Sequence, residues 1–221
     1  RVQDPERTML GAVQEDWLAG ELKSATEAGK SWQVLANQII MARVRPPNFT
    51  RTLTDEQKAA QDVGYIQQLI PFSQLGLPFN LDAWDGFPAA RDRLYTSAKE
   101  AGARLATLTG DTHTAWANTL VDADNEQRGV EFACTSVTSP GLGTYIKEVP
   151  DLGPQFVEAN EEVDFHDPFD NGWMLVTLTK DDARADYKKV TDVTQKTYTT
   201  SEVTTYVTTR DGDGMTPLQS S

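Results

Sequence analysis

The feature that most limits the fold of this chain is a short β-prone run that ends in a polar turn. The apolar run 105–109 is followed directly by Gly110-Asp111-Thr112-His113. In an α/β protein, ligands collect at the carboxyl ends of strands, where the backbone opens into a crevice. A carboxylate and an imidazole two residues apart on such a turn can converge on one metal ion, and Gly110 lets the backbone turn tightly. The alternative is that Asp111 caps a following helix and His113 only packs, because Asp-x-His alone is a weak motif.

The segments around this turn carry alternating helix and strand signals. Apolar stripes, capping boxes, an initial proline or a final glycine predict helices at 11–28, 54–68 and 88–102, with a further helix beginning over 114–120. Apolar or alternating runs predict strands at 31–41, 105–109, 130–137, 172–179, 186–193 and 198–209. This alternation indicates an α/β fold. We expect Trp17 in the core, 71–80 to be irregular and the tail from Asp211 to be frayed.

Charge and composition exclude several classes of protein. The 221 residues carry a formal net charge of −13, so no sequence-wide basic face exists to bind a nucleic-acid backbone. No apolar run approaches the roughly 20 residues that a membrane-spanning helix needs. Cys134 is the single cysteine, which excludes an intrachain disulfide and a cysteine-rich zinc site. The chain begins at Arg1 rather than at Met, and we interpret it as part of a longer polypeptide.

Acidic residues are concentrated between Asp151 and Asp186, where ten Asp and Glu face only Lys180 and Arg184. Such a cluster is either a solvated surface loop or a store of oxygen ligands for calcium or magnesium. Asn37 and Gln38 end the first predicted strand, and their amides either satisfy the backbone or reach into a site. The turn-rich segment 136–141 could line a pocket.

Five linked segments together resemble the PhoD-type alkaline phosphatases, a branch of the calcineurin-like metallophosphoesterases. They are Arg7–Gly11 with Gln14, Trp17 and Leu18; Trp32 with Asn37 and Gln38; Asp82–Pro88 with Arg91; Leu108–His113; and Glu131–Phe132 with Ser136–Gly141. Their order and spacing are far more specific than any single motif.

The resemblance implies a four-layer αββα sandwich with a binuclear metal site at the strand ends, which hydrolyses phosphate monoesters and diesters. Asp111 and His113 would be metal ligands and catalytic residues, while Asn37, Trp84 and Asp85 would line the substrate site. The resemblance implies iron and calcium as the metals, with zinc or manganese also acceptable to a carboxylate and an imidazole. It also implies a periplasmic or secreted protein.

The whole chain, 1–221, corresponds in this interpretation to the C-terminal half of one metallophosphoesterase domain. Residues 7–179 are the recognisable part, and 180–221 are terminal strands and tail. The implied partner is the N-terminal fragment of the same protein, which would carry the remaining ligands. We therefore expect this chain alone to be inactive, and not to stay folded, because half a sandwich exposes unpaired strand edges.

The sequence departs from the family pattern at two places. The family commonly has a histidine about ten residues before an Arg-Gly-Tyr or His-Gly-Tyr, and here that position is Glu162, with His166 nearby. Either residue could take that role, or His166 could be a surface histidine. Phe87 stands where the family usually has tyrosine.

A second hypothesis belongs to another class of function. The acidic cluster and the threonine-rich C-terminal strands would also suit a non-catalytic, calcium-stabilised binding or structural domain.

Overall fold

The computed structural model describes residues 2–56, 63–146, 149 and 151–221. Its helices are α1 Ala12–Glu27, α2 Phe49–Thr52, α3 Val63–Leu75, α4 Pro88–Ala101, α5 Leu142–Tyr145 and α6 Leu152–Ala159, with a 3-10 turn at Trp84–Gly86. Its strands are β1 Gln33–Ala36, β2 Leu105–Thr109, β3 Ala115–Val121, β4 Gln127–Ala133, β5 Val163–Asp167, β6 Gly172–Leu178, β7 Asp182–Val190, β8 Thr200–Asp211, β9 Gly214–Met215 and β10 Gln219–Ser220.

The strands form two sheets, which makes this a mixed α/β fold. The first sheet has the order β1-β2-β4-β3-β5, and only β3 runs antiparallel to its neighbours. The second sheet is antiparallel, with the order β10-β8-β7-β6 and β9 added to β8. Because β1, β2, β4 and β5 run in one direction, their carboxyl ends share one edge of the first sheet.

Two apolar clusters cover the two faces of the first sheet. Leu22 of α1 and Leu94 of α4 pack with Leu105 and Trp116 on one face. On the other face, the cluster combines side chains of both sheets, including Phe132 and Tyr187. The Tyr187 hydroxyl also donates to the Trp116 carbonyl at 2.6 Å, so β7 is tied to β3.

The expectation that a helix begins over 114–120 is wrong, since Ala115–Val121 form strand β3. Their Cα register pairs Trp116 with Ala133 of β4 and with His166 of β5. Both faces of this strand are buried, so its apolar content does not alternate and the local pattern mimics a helix. Asp111 therefore lies in a strand-to-strand turn and caps no helix.

Several element boundaries also differ from the sequence expectation. The first predicted strand is confined to 33–36, helix α3 includes Pro71 in a stretch expected to be irregular, and the C-terminal tail pairs as β9 and β10. Leu218 is buried, so the tail is not frayed. Trp17 is 59% exposed rather than in the core. Of the helix predicted at 54–68, residues 57–62 lie outside the described residues.

Other expectations are confirmed. Helices α1 and α4 occupy the predicted segments, and Pro88 and Gly102 begin and close α4, with Gly102 in the left-handed conformation at φ 62°. Strands β2 and β6 occur where they were predicted. Among the described residues, no helix combines the length and apolar content that crossing a bilayer requires.

A short run after β1, which we call the tethered segment (residues 41–45), donates all five of its backbone N–H groups to side-chain oxygens. Met41 and Ala42 donate their N–H groups to Glu131 at 2.8 and 3.1 Å, Arg43 to Glu162 at 3.1 Å, Val44 to Asp85 at 2.9 Å and Arg45 to Asn160 at 2.7 Å. Buried N–H groups need acceptors, and here carboxylates and an amide replace a neighbouring strand.

Glu131 is the most buried of these acceptors, with no exposed surface. Besides the two N–H groups of the tethered segment, it accepts the Thr109 hydroxyl at 2.7 Å and the Asn118 amide at 2.9 Å. Burial raises the pKa of the Glu131 carboxyl, and the four donors oppose that shift. One carboxylate thus ties β4 to β2, β3 and the tethered segment.

We expect Glu131→Gln to lower the free energy of unfolding by about 3 kcal/mol, because an amide NH₂ would face donors and leave buried groups unsatisfied. Urea unfolding of the full-length protein that contains this chain measures this loss. Glu100→Gln, on the exposed face of α4, is the matched control and should stay within about 0.5 kcal/mol of wild type. Equal stability of the two variants would contradict the assigned role.

Candidate active site

The candidate site lies at the edge of the first sheet where β1, β2, β4 and β5 end. Asn37 follows β1, and its N–H donates to Leu108 of β2 at 2.9 Å, which keeps the two strand ends together. The turn 110–114 follows β2, and Thr135 comes shortly after β4. This is the position at which α/β sheets collect ligands.

The turn carries backbone strain at the two residues that the sequence predicts to be metal ligands. Asp111 has φ 69° and His113 has φ 58°, both left-handed and neither a glycine. Such residues cost about 1–3 kcal/mol each and cluster at functional sites. Gly110 was expected to be the permissive residue, and that interpretation is wrong: its φ is not positive, and an added Cβ would meet nothing within 4 Å. The side chains of Asp111 and His113 are both exposed.

The His113 ring is oriented by the loop after β4. Its Nδ1 lies 3.1 Å from the Pro140 carbonyl oxygen. Because a carbonyl only accepts, Nδ1 carries the hydrogen, and in the neutral ring Nε2 then has the lone pair. Metal-binding histidines commonly have one ring nitrogen fixed in this way by a carbonyl or carboxylate. The Thr135 hydroxyl contacts the His113 backbone oxygen at 3.2 Å and so supports the same turn.

Gly141 allows this loop to approach the turn. A Cβ at this position would lie 2.6 Å from the His113 carbonyl oxygen and 2.9 Å from the Thr114 methyl group. Both distances are shorter than van der Waals contact, and one neighbour is backbone that cannot move aside cheaply. The absence of a side chain at Gly141 therefore brings Pro140 within reach of the imidazole.

We expect Gly141→Ala to displace Pro140 and to release His113 from its fixed tautomer, at a cost of about 1–3 kcal/mol in stability from overpacking. ¹⁵N NMR of the imidazole nitrogens reports the tautomer directly. Gly110→Ala is the control, since a Cβ added at Gly110, in the same turn, would meet no atom within 4 Å. An unchanged His113 spectrum in Gly141→Ala would contradict the close approach.

Asp111 and His113 line a common cavity of about 230 Å³. Phe79, Asn80 and Tyr145 form other parts of its wall. Pro140 and Gly141 also line it, which agrees with the expectation that the segment 136–141 lines a pocket. Of the seven predicted site residues, the structure brings Asp111 and His113 into this cavity. Asn37, Trp84, Asp85, Glu162 and His166 are not among its lining residues.

Asn37 and Trp84 contact each other instead. The Trp84 indole N–H donates to the Asn37 side-chain oxygen at 3.2 Å, and the Asn37 amide donates to the Ile39 carbonyl. The amide of Asn37 therefore satisfies the backbone, as one of its two interpretations held. Both residues border a different groove, of about 530 Å³, between α1 and β1.

Asp85 is occupied within the fold. One carboxylate oxygen accepts the Val44 N–H, and the other pairs with Arg91 at 2.9 Å. Arg91 also donates to the Met41 carbonyl at 3.0 Å. The structure thus assigns Asp85 to the tethered segment.

Glu162, like Asp85, is bound by groups of the tethered segment. It is 3% exposed, pairs with the Arg43 guanidinium and accepts the Arg43 N–H. Burial raises the pKa of Glu162 to about 7, although Arg43 favours its charged form. The carboxyl group serves Arg43 and does not reach the cavity beside His113.

This raised pKa makes stability dependent on pH. Because the folded-state pKa of about 7 exceeds the ordinary value of 4.5, the folded chain binds the proton more tightly than the unfolded chain. The free energy of unfolding should therefore fall as pH rises from about 4.5 to 7, by at most ~1.4 kcal/mol per pH unit from this group. Urea unfolding across this range should show that Glu162→Gln lacks this part of the slope and that Glu158→Gln, an exposed control on α6, keeps it. Equal slopes in both variants would contradict the assignment.

His166 is buried beneath the turn, with 4% of its surface exposed. Its ring stacks on Trp116 with centroids 3.4 Å apart, and Nδ1 contacts the Ala115 carbonyl oxygen at 3.0 Å. Burial lowers the pKa of His166 to about 3, so the ring is neutral. The interpretation of His166 as a surface histidine is wrong.

The acidic cluster is dispersed in the structure. Asp170 pairs with Lys189, Asp186 with Arg184, and Asp164 accepts the Thr119 hydroxyl. No group of three or more His, Cys, Asp or Glu in the described part of the chain is arranged to hold a metal ion. The hypothesis of a calcium-stabilised domain therefore gains no support from this cluster.

Comparison with known proteins identifies the family. A family model described as PhoD-like phosphatase matches residues 1–187. The chain belongs to the PhoD-like phosphatase family. It is 30% identical over 223 residues to alkaline phosphatase D of Bacillus subtilis (strain 168), covering 99% of this chain and 33% of that protein. It also superposes on a solved structure of PhoD with a TM-score of 0.71 and 27% identity, covering 100% of this chain and 37% of the other. The chain thus spans about a third of the length of these two relatives.

Proposed function

We propose that this PhoD-like chain supplies part of an active site that hydrolyses phosphate monoesters and diesters with the help of bound metal ions. The observation that carries the proposal is the pair formed by Asp111 and His113. Both side chains are exposed to one cavity, both residues are held in strained backbone, and the imidazole has its Nε2 lone pair available.

The donor set fits a metal ion. A carboxylate oxygen and a neutral imidazole nitrogen suit iron, zinc or manganese, and a carboxylate also suits calcium. Among these metals we propose iron and calcium, the pair that the family resemblance implies. Two donors are too few for a complete site. We therefore propose that further ligands come from the N-terminal fragment of the same protein.

Asp111 and His113 have different roles in this proposal. Asp111 would offer anionic oxygen, and His113 would bind through Nε2 while Pro140 keeps the proton on Nδ1. Metal ions, when bound, supply positive charge that polarises the phosphoryl oxygens and acidifies a water nucleophile. Phe79 and Tyr145 form a wall against which the organic group of the ester would lie.

Exposed apolar side chains support the proposed N-terminal partner. Trp17 of α1, Val34 of the edge strand β1 and Trp173 of the edge strand β6 are 59%, 49% and 42% exposed. The Trp32 indole donates to the Thr179 carbonyl at 3.0 Å, which places the start of β1 beside the end of β6. Both sheets are therefore open on neighbouring edges, and an N-terminal fragment that extends them would complete a four-layer sandwich. We propose that the assembled protein is periplasmic or secreted, and that this chain is inactive without its partner.

We expect Asp111→Asn and His113→Ala, made in the full-length protein that contains this chain, to lower turnover of an aryl phosphate monoester and diester by about 100-fold or more. Changes to groups that merely support metal ligands already cost 10–100-fold. Asp181→Asn, the same charge change on the exposed turn before β7, should leave turnover unchanged. Full activity of Asp111→Asn would refute the proposal, and elemental analysis of the same samples should show metal lost in parallel.

A further inference from the structure

Thr112 lies between the two strained residues of the turn, and its side chain points back to the sheet. The Trp116 indole N–H donates to the Thr112 hydroxyl at 3.2 Å and to the Thr114 hydroxyl at 2.8 Å. The Thr114 hydroxyl lies 3.3 Å from that of Thr112, which in turn donates to the Thr114 carbonyl at 3.3 Å. These contacts form a side-chain clamp across the turn, made of Thr112, Thr114 and Trp116.

The indole that anchors this clamp is itself buried and packed between aromatic rings. Trp116 is 1% exposed, stacks on His166 at 3.4 Å and meets the edge of Phe156 at 5.4 Å. His166 belongs to β5 and contacts the carbonyl oxygen of Ala115, the residue before Trp116, at 3.0 Å. The stack thus connects β5 to the indole, and the indole to the turn.

We infer that Thr112 is a positioning residue for the proposed metal-binding pair, and that it acts through its side-chain hydroxyl. Left-handed backbone at Asp111 and at His113 costs free energy. Both residues would therefore adopt ordinary backbone conformations unless other contacts fix the turn between them. Thr112 is the residue between them, and its hydroxyl is the contact that joins that centre to the buried indole. This inference rests on the proposed function, because it concerns the affinity of the same two side chains for metal.

The test compares Thr112→Val with Thr112→Ser in the full-length protein purified with its native metal. Valine keeps the shape of threonine but removes the hydroxyl, whereas serine keeps the hydroxyl. The readout is the rate at which metal is lost to excess EDTA, followed by elemental analysis of the protein fraction, so it needs no substrate. We expect Thr112→Val to lose metal at least 10-fold faster than wild type and Thr112→Ser to remain within about 3-fold.

Thermal unfolding of the same variants separates positioning from general stability, since Thr112 is only partly buried and both variants should melt close to wild type. Equal rates of metal loss in Thr112→Val and wild type overturn the inference, as does equal acceleration in the valine and serine variants.

The variant Asp111→Asn distinguishes failure of this inference from failure of the proposed function. If Asp111→Asn releases metal and Thr112→Val does not, only the positioning role is wrong. If Asp111→Asn also retains its metal, or wild type carries none, the proposed metal site is wrong and the inference falls with it.

Discussion

The need to satisfy five consecutive backbone N–H groups in the tethered segment shapes much of this molecule. The segment leaves the first sheet after β1 and pairs with no strand among the described residues, so its donors need other acceptors. Side-chain oxygens of Glu131, Asp85, Glu162 and Asn160 accept them instead. Three of these acceptors are carboxylates, and two of them, Glu131 and Glu162, are buried although most acidic residues prefer the surface. The arrangement fixes the path of the chain next to the strand ends where the candidate site lies.

The site itself depends on strain that the surroundings maintain. Asp111 and His113 hold left-handed backbone, and two independent supports act on their turn. The loop after β4 holds the His113 ring through the Pro140 carbonyl, and the indole of Trp116 holds Thr112 from below. Pre-organisation of this kind makes a small number of donors effective, because little freedom is lost when a ligand binds. The two supports come from different strands, so the fold of the first sheet has to be complete before the site has its shape.

Local sequence patterns predicted the elements that depend on neighbouring residues. Helix α4 begins at Pro88 and closes at Gly102, and strand β2 ends at the Gly-Asp-Thr-His turn, because prolines, glycines and apolar periodicity act within a few positions. Strand β3 could not be predicted in this way. It is buried on both faces, so alternation is absent, and its state is decided by pairing with β4 and β5. The position of Trp17 could not be predicted either, since a stripe of apolar residues does not show which of its members the packing of the chain will bury.

The sequence by itself determined the family, the α/β alternation and the pair of residues that define the candidate site, because those signals lie in contiguous motifs. Only the tertiary structure decided the roles of Asp85, Glu162 and His166, which the motifs placed near the substrate and the fold assigns to internal contacts. The physical reason is that a polar side chain acts through the partner it meets, and Val44 and its acceptor Asp85 are 41 positions apart, while Arg43 and Glu162 are separated by 119. No local pattern encodes which donor a buried carboxylate will face; the packing of the whole chain decides it.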